Sequence, residues 1–150
     1  MKDLSSKSFY DNFTKNLKIK KYVFGINEYA DSVAKVAEID GYIDQYTDES
    51  TYNGKPILKL EQIPKDSLVV STVTNSRPRT AITKIEGAGI QGYIDYFLFA
   101  DASEGKVPQL SYISDTRLDY GLYESQYKWI RSLLVDDESR TTFDRVRILG

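Results

Sequence analysis

Two residue types that carry much of enzyme chemistry are missing from this chain of 150 residues. It has no cysteine, which excludes disulfide bonds, thiolate nucleophiles and thiolate metal sites. It has no histidine either, so the commonest general base and the commonest transition-metal ligand are both absent. Any catalysis would depend on Asp, Glu, Lys, Tyr or Ser side chains. We therefore predict no catalytic residue and no metal site in this chain.

Low net charge and the lack of long apolar runs exclude further classes of function. The formal charge is −2, and no part of the sequence is basic throughout, so nucleic-acid binding is not predicted. No apolar run approaches the roughly 18 to 20 residues that a membrane helix needs. The first residues, MKDLSSKSFYDNF, lack the apolar core of a secretory signal. We expect a cytoplasmic protein without membrane contact.

What the chain does contain is an alternation of short apolar segments and helical patterns. The predicted strands are KYVF, GYIDQY, SLVVSTV and YIDYFLF, which are rich in β-branched and aromatic residues. Helical spacing runs from Glu28 to Ile39, with Gly41 as the predicted end. A further helix is predicted after TNSRPR, with Ser76 as its cap and Pro78 in its first turn. This alternation predicts an α/β fold, a small three-layer domain around a parallel sheet.

The two ends of the chain depart from this alternation. Apolar residues at four-residue spacing predict a leading helix in residues 1–20. Residues 102–150 begin as an irregular connector and continue as two amphipathic helices, over LYESQYKWIRSLL and VDDESRTTFDRVRILG. The predicted organisation is therefore a leading helix (1–20), an α/β domain (21–101) and C-terminal linker helices (102–150).

The turn after the first strand has the spacing of a dinucleotide-binding turn. In such a turn the first glycine makes the tight bend, the second lets the backbone approach a pyrophosphate, and the third allows close helix packing. Gly25 can serve as the first, but Asn27 and Ala30 stand at the other two positions. The Asn27 side chain would crowd a pyrophosphate, and Glu28 adds negative charge where an anion would bind. A structural turn and a nucleotide site both remain open.

Two further segments would lie at the same edge of the sheet. Asp44 lies 19 residues after Gly25, near the ~20 at which an acidic residue meets a ribose hydroxyl. The loop TNSRPR follows a buried strand, at the edge where parallel sheets bind ligands, and Arg77 and Arg79 could hold a phosphate there. The alternative is an exposed helix start with two solvated arginines.

Several segments together resemble a known family. They are YVFGINEYADSVAKV, GYIDQY, GKPIL, VVSTVTNSRP and GYIDYF, and they resemble the Rossmann-like domain found ahead of FkbM-family methyltransferase domains. They are also similar to the nucleotide-sugar-binding front domain of sugar acyltransferases of the PglD and NeuD type. The tail, LLVDDESRTTFDRVRILG, resembles the helical segment that leads into an FkbM methyltransferase core. The resemblance covers residues 21–150.

This resemblance implies a function. FkbM-family enzymes are S-adenosylmethionine-dependent O-methyltransferases, often of polysaccharide, lipopolysaccharide or antibiotic pathways. Their cofactor-binding core would begin after the helices of residues 102–150, so S-adenosylmethionine is expected for that domain and no cofactor for this chain. The chain is then expected to be a non-catalytic N-terminal accessory domain, with the methyltransferase domain as its partner in cis.

The acyltransferase relatives imply which residues could bind a ligand. Their front domain holds the nucleotide part of a sugar nucleotide at the glycine turn, the acidic end of the second strand and the third-strand loop. By position, the corresponding residues here are Gly25, Asn27, Glu28, Asp44, Asn75 and Arg79. Asn27 and Ala30 depart from the glycine pattern of that family. A histidine that the family carries near its turn has no counterpart in this chain.

Three hypotheses for the function follow. The first is an accessory domain that binds a nucleotide or nucleotide-sugar, which requires Asp44 and Arg79 to converge on an open cleft near Gly25. The second is a ligand-free docking or dimerisation module, which is favoured if Tyr29 or Tyr46 fills that edge. The third is an oxidoreductase that uses NAD, which the missing histidine disfavours.

Docking would use the apolar residues near the end of the chain. Phe143, Val146 and Leu149 have the spacing of one helix face and need a partner surface. That surface would belong to the methyltransferase core or to a second copy of the chain, which would make a homodimer.

Overall fold

A computed structural model describes residues 5–75 and 77–149 of the chain, and the side chains of residues 5–75 and 77–145. Ser76, the predicted helix cap, lies outside the described residues, as do the side chains of Val146 and Leu149. The chain divides into two compact units, Met1–Pro108 and Gln109–Gly150.

The first unit alternates helices and strands along the chain. Its elements are α1 Ser6–Lys15, β1 Lys21–Phe24, α2 Glu28–Val36, β2 Gly41–Ile43, β3 Thr51–Tyr52, β4 Lys55–Leu58, β5 Leu68–Ser71, α3 Pro78–Gly87, β6 Gly92–Asp95 and α4 Tyr96–Ala102. A short 3-10 helix, Leu60–Gln62, follows β4.

The strands form one sheet in the order β3-β4-β2-β1-β5-β6. All neighbouring pairs are parallel except β3 and β4, which form an antiparallel hairpin. Strand β2 lies on one side of β1, and the chain later returns to place β5 on the other side of β1. Right-handed crossovers in opposite directions place α2 and α3 on opposite faces of the sheet. The unit is therefore a small Rossmann-like α/β domain, as the sequence predicts.

Both faces of the sheet are covered by apolar side chains. One face packs under α3, and its buried cluster contains Tyr22, Phe24, Ile43, Leu60, Ile63, Val69, Ala81, Ile85 and Ile90. Alternate strand residues such as Val23 and Val70 point to the other face and are fully buried. Helix α1 adds an aromatic cluster in which the Phe99 ring lies 5.0 Å from Tyr10 and 5.5 Å from Phe13. The leading helix therefore belongs to the core of this unit.

The predicted helix over residues 28–39 ends earlier, at Val36, and Gly41 does not terminate it. Gly41 is instead the first residue of β2 and is buried in the sheet. A Cβ at this position would lie 2.7 Å from the Pro56 carbonyl oxygen. The glycine is thus required by the close approach of β4.

Two other predicted boundaries are wrong. YIDYFLF is not one strand, because β6 ends at Asp95 and α4 begins at Tyr96. The Asp95 carboxylate accepts a hydrogen bond from the Leu98 N–H at 2.9 Å, which caps the new helix. The predicted connector after Asp101 contains a full helix, α5 Ser111–Leu122.

The second unit consists of α5, α6 Glu124–Leu133 and α7 Asp137–Leu149. Its centre is aromatic, with the Tyr127 ring 5.0 Å from Tyr120 and 6.4 Å from Phe143. Arg131 donates two hydrogen bonds of 2.7 Å to Asp144 on α7. No residue of α5 or α6 is buried. Within the part of the chain that the structure describes, no helix is long and apolar enough to cross a bilayer.

Candidate functional site

The carboxyl ends of β1 and β5 meet where the chain changes direction across the sheet, the usual ligand position of this fold. Gly25 follows β1 with φ +107°, a conformation that other residues rarely adopt. A Cβ on Gly25 would lie 2.9 Å from the Thr72 Oγ1 and 3.4 Å from the Val73 Cγ2. The turn therefore passes directly against the end of β5, and only glycine fits there.

The Asn27 side chain fills the place where a phosphate would bind. Its Oδ1 accepts hydrogen bonds from the N–H groups of Tyr29 and Ala30, at 3.1 and 3.0 Å, and so caps α2. Its Nδ2 donates to the Thr72 carbonyl oxygen at 2.8 Å. The N–H groups at the start of a helix are the ones that hold a phosphate in this fold. Here two of them are already satisfied, and the same side chain links the start of α2 to Thr72 at the end of β5.

Thr72 and Glu28 add to this closure. The Thr72 Oγ1 donates to the Phe24 carbonyl oxygen at 3.0 Å, and its N–H donates to the same oxygen at 2.8 Å. Glu28 is exposed in the first turn of α2, where its negative charge opposes anion binding. The turn is thus locked to β5 and electrostatically unsuited to a pyrophosphate.

Asp44 lies at the end of β2, as predicted, but its carboxylate caps its own loop. The Oδ1 accepts hydrogen bonds from the N–H groups of Tyr46 and Thr47, at 2.7 and 3.0 Å. Lys59 donates to the carbonyl oxygens of Asp44 and Thr47, at 2.9 Å each. This loop is held in place by its own hydrogen bonds. The Asp44 carboxylate is therefore already hydrogen-bonded within the protein at the position where a ribose hydroxyl would need it.

The loop after β5 carries the remaining predicted residues. Asn75 and Arg79 are both exposed, and Arg79 stands in the first turn of α3. Arg77 occupies the N-cap position with φ +51° and does not cap the helix with its side chain, while Pro78 opens the helix as predicted. The described residues include no hydrogen bond or ion pair between Asp44 and Arg79. Gly25 and Asn27 therefore contact the end of β5, but neither forms a hydrogen bond with Asp44 or Arg79 in the described part of the chain.

Tyr46 and Lys84 form a contact that sequence reasoning missed. The Lys84 Nζ donates to the Tyr46 hydroxyl at 2.8 Å and lies 5.0 Å from the ring centroid. This hydrogen bond and the Lys84 charge lower the pKa of the Tyr46 phenol, with a smaller contribution from Arg77. Tyr46 stays 83% exposed, so it does not fill the edge of the sheet. No periodicity or motif in the sequence indicates this pair.

Tyr29 packs toward the end of β6. Its ring centroid lies 4.8 Å from that of Tyr96, which is fully buried at the start of α4. The Tyr96 hydroxyl donates to the Pro108 carbonyl oxygen at 2.6 Å. Burial raises the pKa of Tyr96 to about 12, although a hydrogen bond with the Ser32 side chain acts the other way. Tyr29 thus contributes to aromatic packing beside the turn.

Comparisons with known proteins give no family assignment. No protein-family model matches the chain, and no curated protein or solved structure matches it either. Among the described residues, no group of three or more acidic side chains is placed to hold a metal ion. The chemistry of the site must therefore be argued from its own geometry.

Proposed function

We propose that the first unit is a non-catalytic accessory domain in which the nucleotide-type turn has become a structural link. The observation that carries this proposal is the Asn27 side chain. It makes three hydrogen bonds, two to the start of α2 and one to Thr72. A phosphate at this place would have to displace all three.

The energetic balance favours the closed turn. Each displaced hydrogen bond contributes on the order of 1 kcal/mol, and a buried partner left without one costs more. Glu28 would add repulsion to any bound anion. A bound pyrophosphate would accept hydrogen bonds from only two N–H groups, and both of these groups already donate to Asn27. We expect no measurable affinity for dinucleotides at the Gly25 turn.

We propose further that the parent enzyme is an FkbM-type O-methyltransferase of glycan biosynthesis, and that this chain docks in cis on its S-adenosylmethionine-binding domain. The resemblance of the segments after Lys21 supports this. So does the second unit, where large apolar side chains are exposed, among them Leu118, Leu122, Trp129 and Leu133. Such side chains need a covering surface. A methyltransferase that consumes S-adenosylmethionine would act in the cytoplasm, and we extend the proposal to that location.

One observation favours the nucleotide-sugar hypothesis as a second candidate. Lys84 and Arg77 place two positive charges around Tyr46, beside a helix start without a side-chain cap. An exposed aromatic ring flanked by cations could accept a base and a phosphate. None of these three residues is bonded to the Asn27 side chain, so this arrangement does not need the closed turn to open.

A thermal-shift screen against UDP- and GDP-sugars, NAD, ATP and S-adenosylmethionine separates the two candidates. For the accessory role we expect no shift in the wild-type chain. Asn27→Gly, which removes the whole obstructing side chain, should respond to a pyrophosphate ligand more strongly than Asn27→Ala, in which a Cβ remains at the turn. A wild-type shift of about 2.7 kcal/mol at 100 times the Kd, lost in Lys84→Met, would instead establish the nucleotide-sugar function.

The methyltransferase link has its own test. The coding sequence that adjoins this segment should encode an FkbM-type core in the same frame. If that core is present, the two domains expressed together should form one cooperative unit in limited proteolysis. An adjoining sequence of another enzyme class would contradict the link while leaving the closed turn unaffected.

A further inference from the structure

The hydroxyl of Tyr46, on the loop after β2, lies against a positive charge. The side chain is 83% exposed, and its hydroxyl oxygen accepts a hydrogen bond of 2.8 Å from the Lys84 ammonium group. Because the ammonium group donates this bond, the phenol proton takes no part in it and can be lost to solvent. The same charge favours the phenolate that remains. Tyr46 is therefore an accessible tyrosine whose nucleophilic form is stabilised.

Charges on the loop and on α3 act on this hydroxyl. The hydrogen bond from Lys84 and its charge lower the pKa of the Tyr46 phenol, and the slight burial of the group opposes them. Arg77, at the start of α3, lowers this pKa further, while Asp44 in the loop acts in the opposite direction. The two cations outweigh the carboxylate.

Other tyrosines of the first unit have the opposite arrangement. The Tyr52 hydroxyl donates to the Asp31 carboxylate at 3.1 Å, and the Tyr93 hydroxyl donates to Glu86. These hydrogen bonds hold the phenol proton and raise the pKa of both tyrosines. A carboxylate partner thus suppresses the phenolate, whereas the lysine partner of Tyr46 promotes it.

Both members of the pair are fixed in position. The Tyr46 N–H donates to Asp44 at 2.7 Å, and Lys59 donates to the carbonyl oxygens of Asp44 and Thr47, on either side of Tyr46 in the chain. Lys84 is half-buried on α3. The contact between the hydroxyl and the ammonium group therefore joins two anchored segments.

Few other side chains compete as nucleophiles at neutral pH. The chain has no cysteine, and without histidine no serine has the usual general base beside it. Lysine amines are protonated at this pH. A lowered pKa makes each phenolate a weaker nucleophile, but below the pKa the larger fraction of phenolate outweighs this loss. Tyr46 should therefore react ahead of the other side chains.

The surroundings suit a phosphoryl group as the electrophile. Lys84 and Arg77 place two positive charges near a group attached to the Tyr46 oxygen, and both side chains pair well with phosphate. Lys84 also lines an open cleft of about 560 Å³, together with Gln45 of the loop and Leu60. This cleft leaves room for the rest of a phosphoryl donor.

We propose that Tyr46 is a modification site that accepts a phosphoryl group from an activated donor such as a nucleoside triphosphate. The phenolate oxygen attacks phosphorus, the bond from phosphorus to the leaving group breaks, and the leaving group takes that electron pair. The phenol proton passes to solvent. The phosphate formed would bind Lys84 by a charge-assisted hydrogen bond and tie the loop to α3. Asn27 takes no part, so this proposal and the accessory function can fail separately.

The test uses diisopropyl fluorophosphate, a donor that phosphorylates nucleophilic oxygens without an enzyme and releases fluoride. The folded chain is treated at neutral pH, and the labelled peptides are followed over time by mass spectrometry. Tyr112 and Tyr123, which are 51% and 49% exposed, are the internal controls. We expect Tyr46 to be labelled several-fold faster than either, a larger difference than exposure alone would produce.

Two variants separate charge from exposure. Lys84→Met removes the ammonium group and leaves the ring accessible, so labelling of Tyr46 should slow toward the rate of Tyr112. Lys35→Met removes the same charge from α2, at a lysine that does not act on Tyr46, and should leave the rate unchanged. Fast labelling that depends on Lys84 alone of these two lysines supports the proposal. No labelling at Tyr46, labelling no faster than at Tyr112, or an unchanged rate in folded Lys84→Met would overturn it.

Discussion

The polar groups at the two edges of the sheet are held in different ways. At the carboxyl edge, Asn27 and Asp44 are both bonded to neighbouring backbone groups. At the amino edge, Asp40 is bonded to the charged Lys20 side chain and to the Lys21 N–H, beside a cleft that is open to solvent. The fold normally binds ligands at the first edge. In this chain the first edge is held by hydrogen bonds to the backbone, and the second by an ion pair.

This contrast teaches that the ligand position of a fold is only a starting expectation. Ligands are bound by polar groups that still need partners, and a fold can satisfy those groups internally. Asn27 does so at the place of a phosphate. Substitutions at each edge can test how much these hydrogen bonds and the ion pair stabilise the domain.

The largest effect is expected from Gly25→Ala. The added Cβ would meet Thr72 at 2.9 Å, and the backbone would be strained at φ +107°. We expect a loss of about 2 to 3 kcal/mol in the free energy of unfolding, measured by chemical denaturation. Gly54→Ala is the matched control, since Gly54 also has a positive φ, of +73°, but has nothing within 4 Å. Equal losses in the two variants would show that the contact with β5 is unimportant.

The next effect is expected from Asn27→Ala. It removes the cap of α2 and the link to Thr72, and should lower the free energy of unfolding by about 1 to 2 kcal/mol. Asn75→Ala, at an exposed position of the same edge, should change stability by less than about 0.5 kcal/mol.

Asn27→Asp separates the two roles of this side chain. Aspartate keeps an acceptor for the α2 N–H groups but cannot donate to the Thr72 carbonyl oxygen. A loss in Asn27→Asp comparable to that in Asn27→Ala would assign most of the stability to the Thr72 link. If neither substitution destabilises the domain, the closed carboxyl edge is not a structural requirement and the accessory proposal loses its support.

The sequence predicted the fold because each strand of the first unit carries its own local signal. KYVF and SLVVSTV are short, apolar and β-rich, and they pair in the parallel sheet as expected. The glycine turn and α2 followed from spacing alone. Such signals depend on residues close together in the chain, so a single sequence contains them.

The wrong boundaries arose where tertiary contacts decided the structure. Gly41 signalled a helix end, but it is required by the Pro56 carbonyl oxygen of β4. Tyr96, Phe97 and Phe99 have high β-propensity, yet Asp95 caps a helix there and Phe99 packs on α1. Helix α5 was missed because its apolar residues form no stripe of helical period.

The positions of the candidate site residues could be predicted from the sequence, but their hydrogen-bond partners could not. The sequence placed Gly25, Asn27 and Asp44 at one edge, and they lie at that edge. It also indicated that the Asn27 side chain would crowd a pyrophosphate. The bond from Asn27 to Thr72 crosses 45 residues of sequence and has no local signal. The buried state of Lys21 was likewise invisible, because a lysine at the start of a strand is usually solvated.

A smaller effect is expected for two neighbouring lysines of the amino edge. Lys20→Met removes the partly exposed ion pair with Asp40 and should lower the free energy of unfolding by less than about 1 kcal/mol. Lys21→Met removes a charge that lines a solvent-open cleft and should change the free energy of unfolding by less than about 0.5 kcal/mol. Both are measured by denaturation. A larger loss in Lys21→Met than in Lys20→Met would show that the ion pair of Lys20 with Asp40 is not what stabilises this edge.

The smallest effect is a pH dependence that belongs to Asp40. Partial burial acts to raise the pKa of its carboxyl, but the hydrogen bonds from the Lys20 Nζ and the Lys21 N–H outweigh burial, so the pKa lies below its usual value. A lowered pKa in the folded state stabilises the protein above the unfolded pKa of about 3.9, and this contribution is lost as pH falls through the folded value.

Asp40→Asn should therefore lower the free energy of unfolding at pH 7 by about 0.5 kcal/mol, with the difference from wild type shrinking below about pH 4. Denaturation midpoints at pH 7 and pH 3 measure this change. In a Lys20→Met background the effect of Asp40→Asn should be smaller, because its main stabilising partner is gone. An effect of the same size at both pH values would mean that Asp40 acts through hydrogen bonding alone.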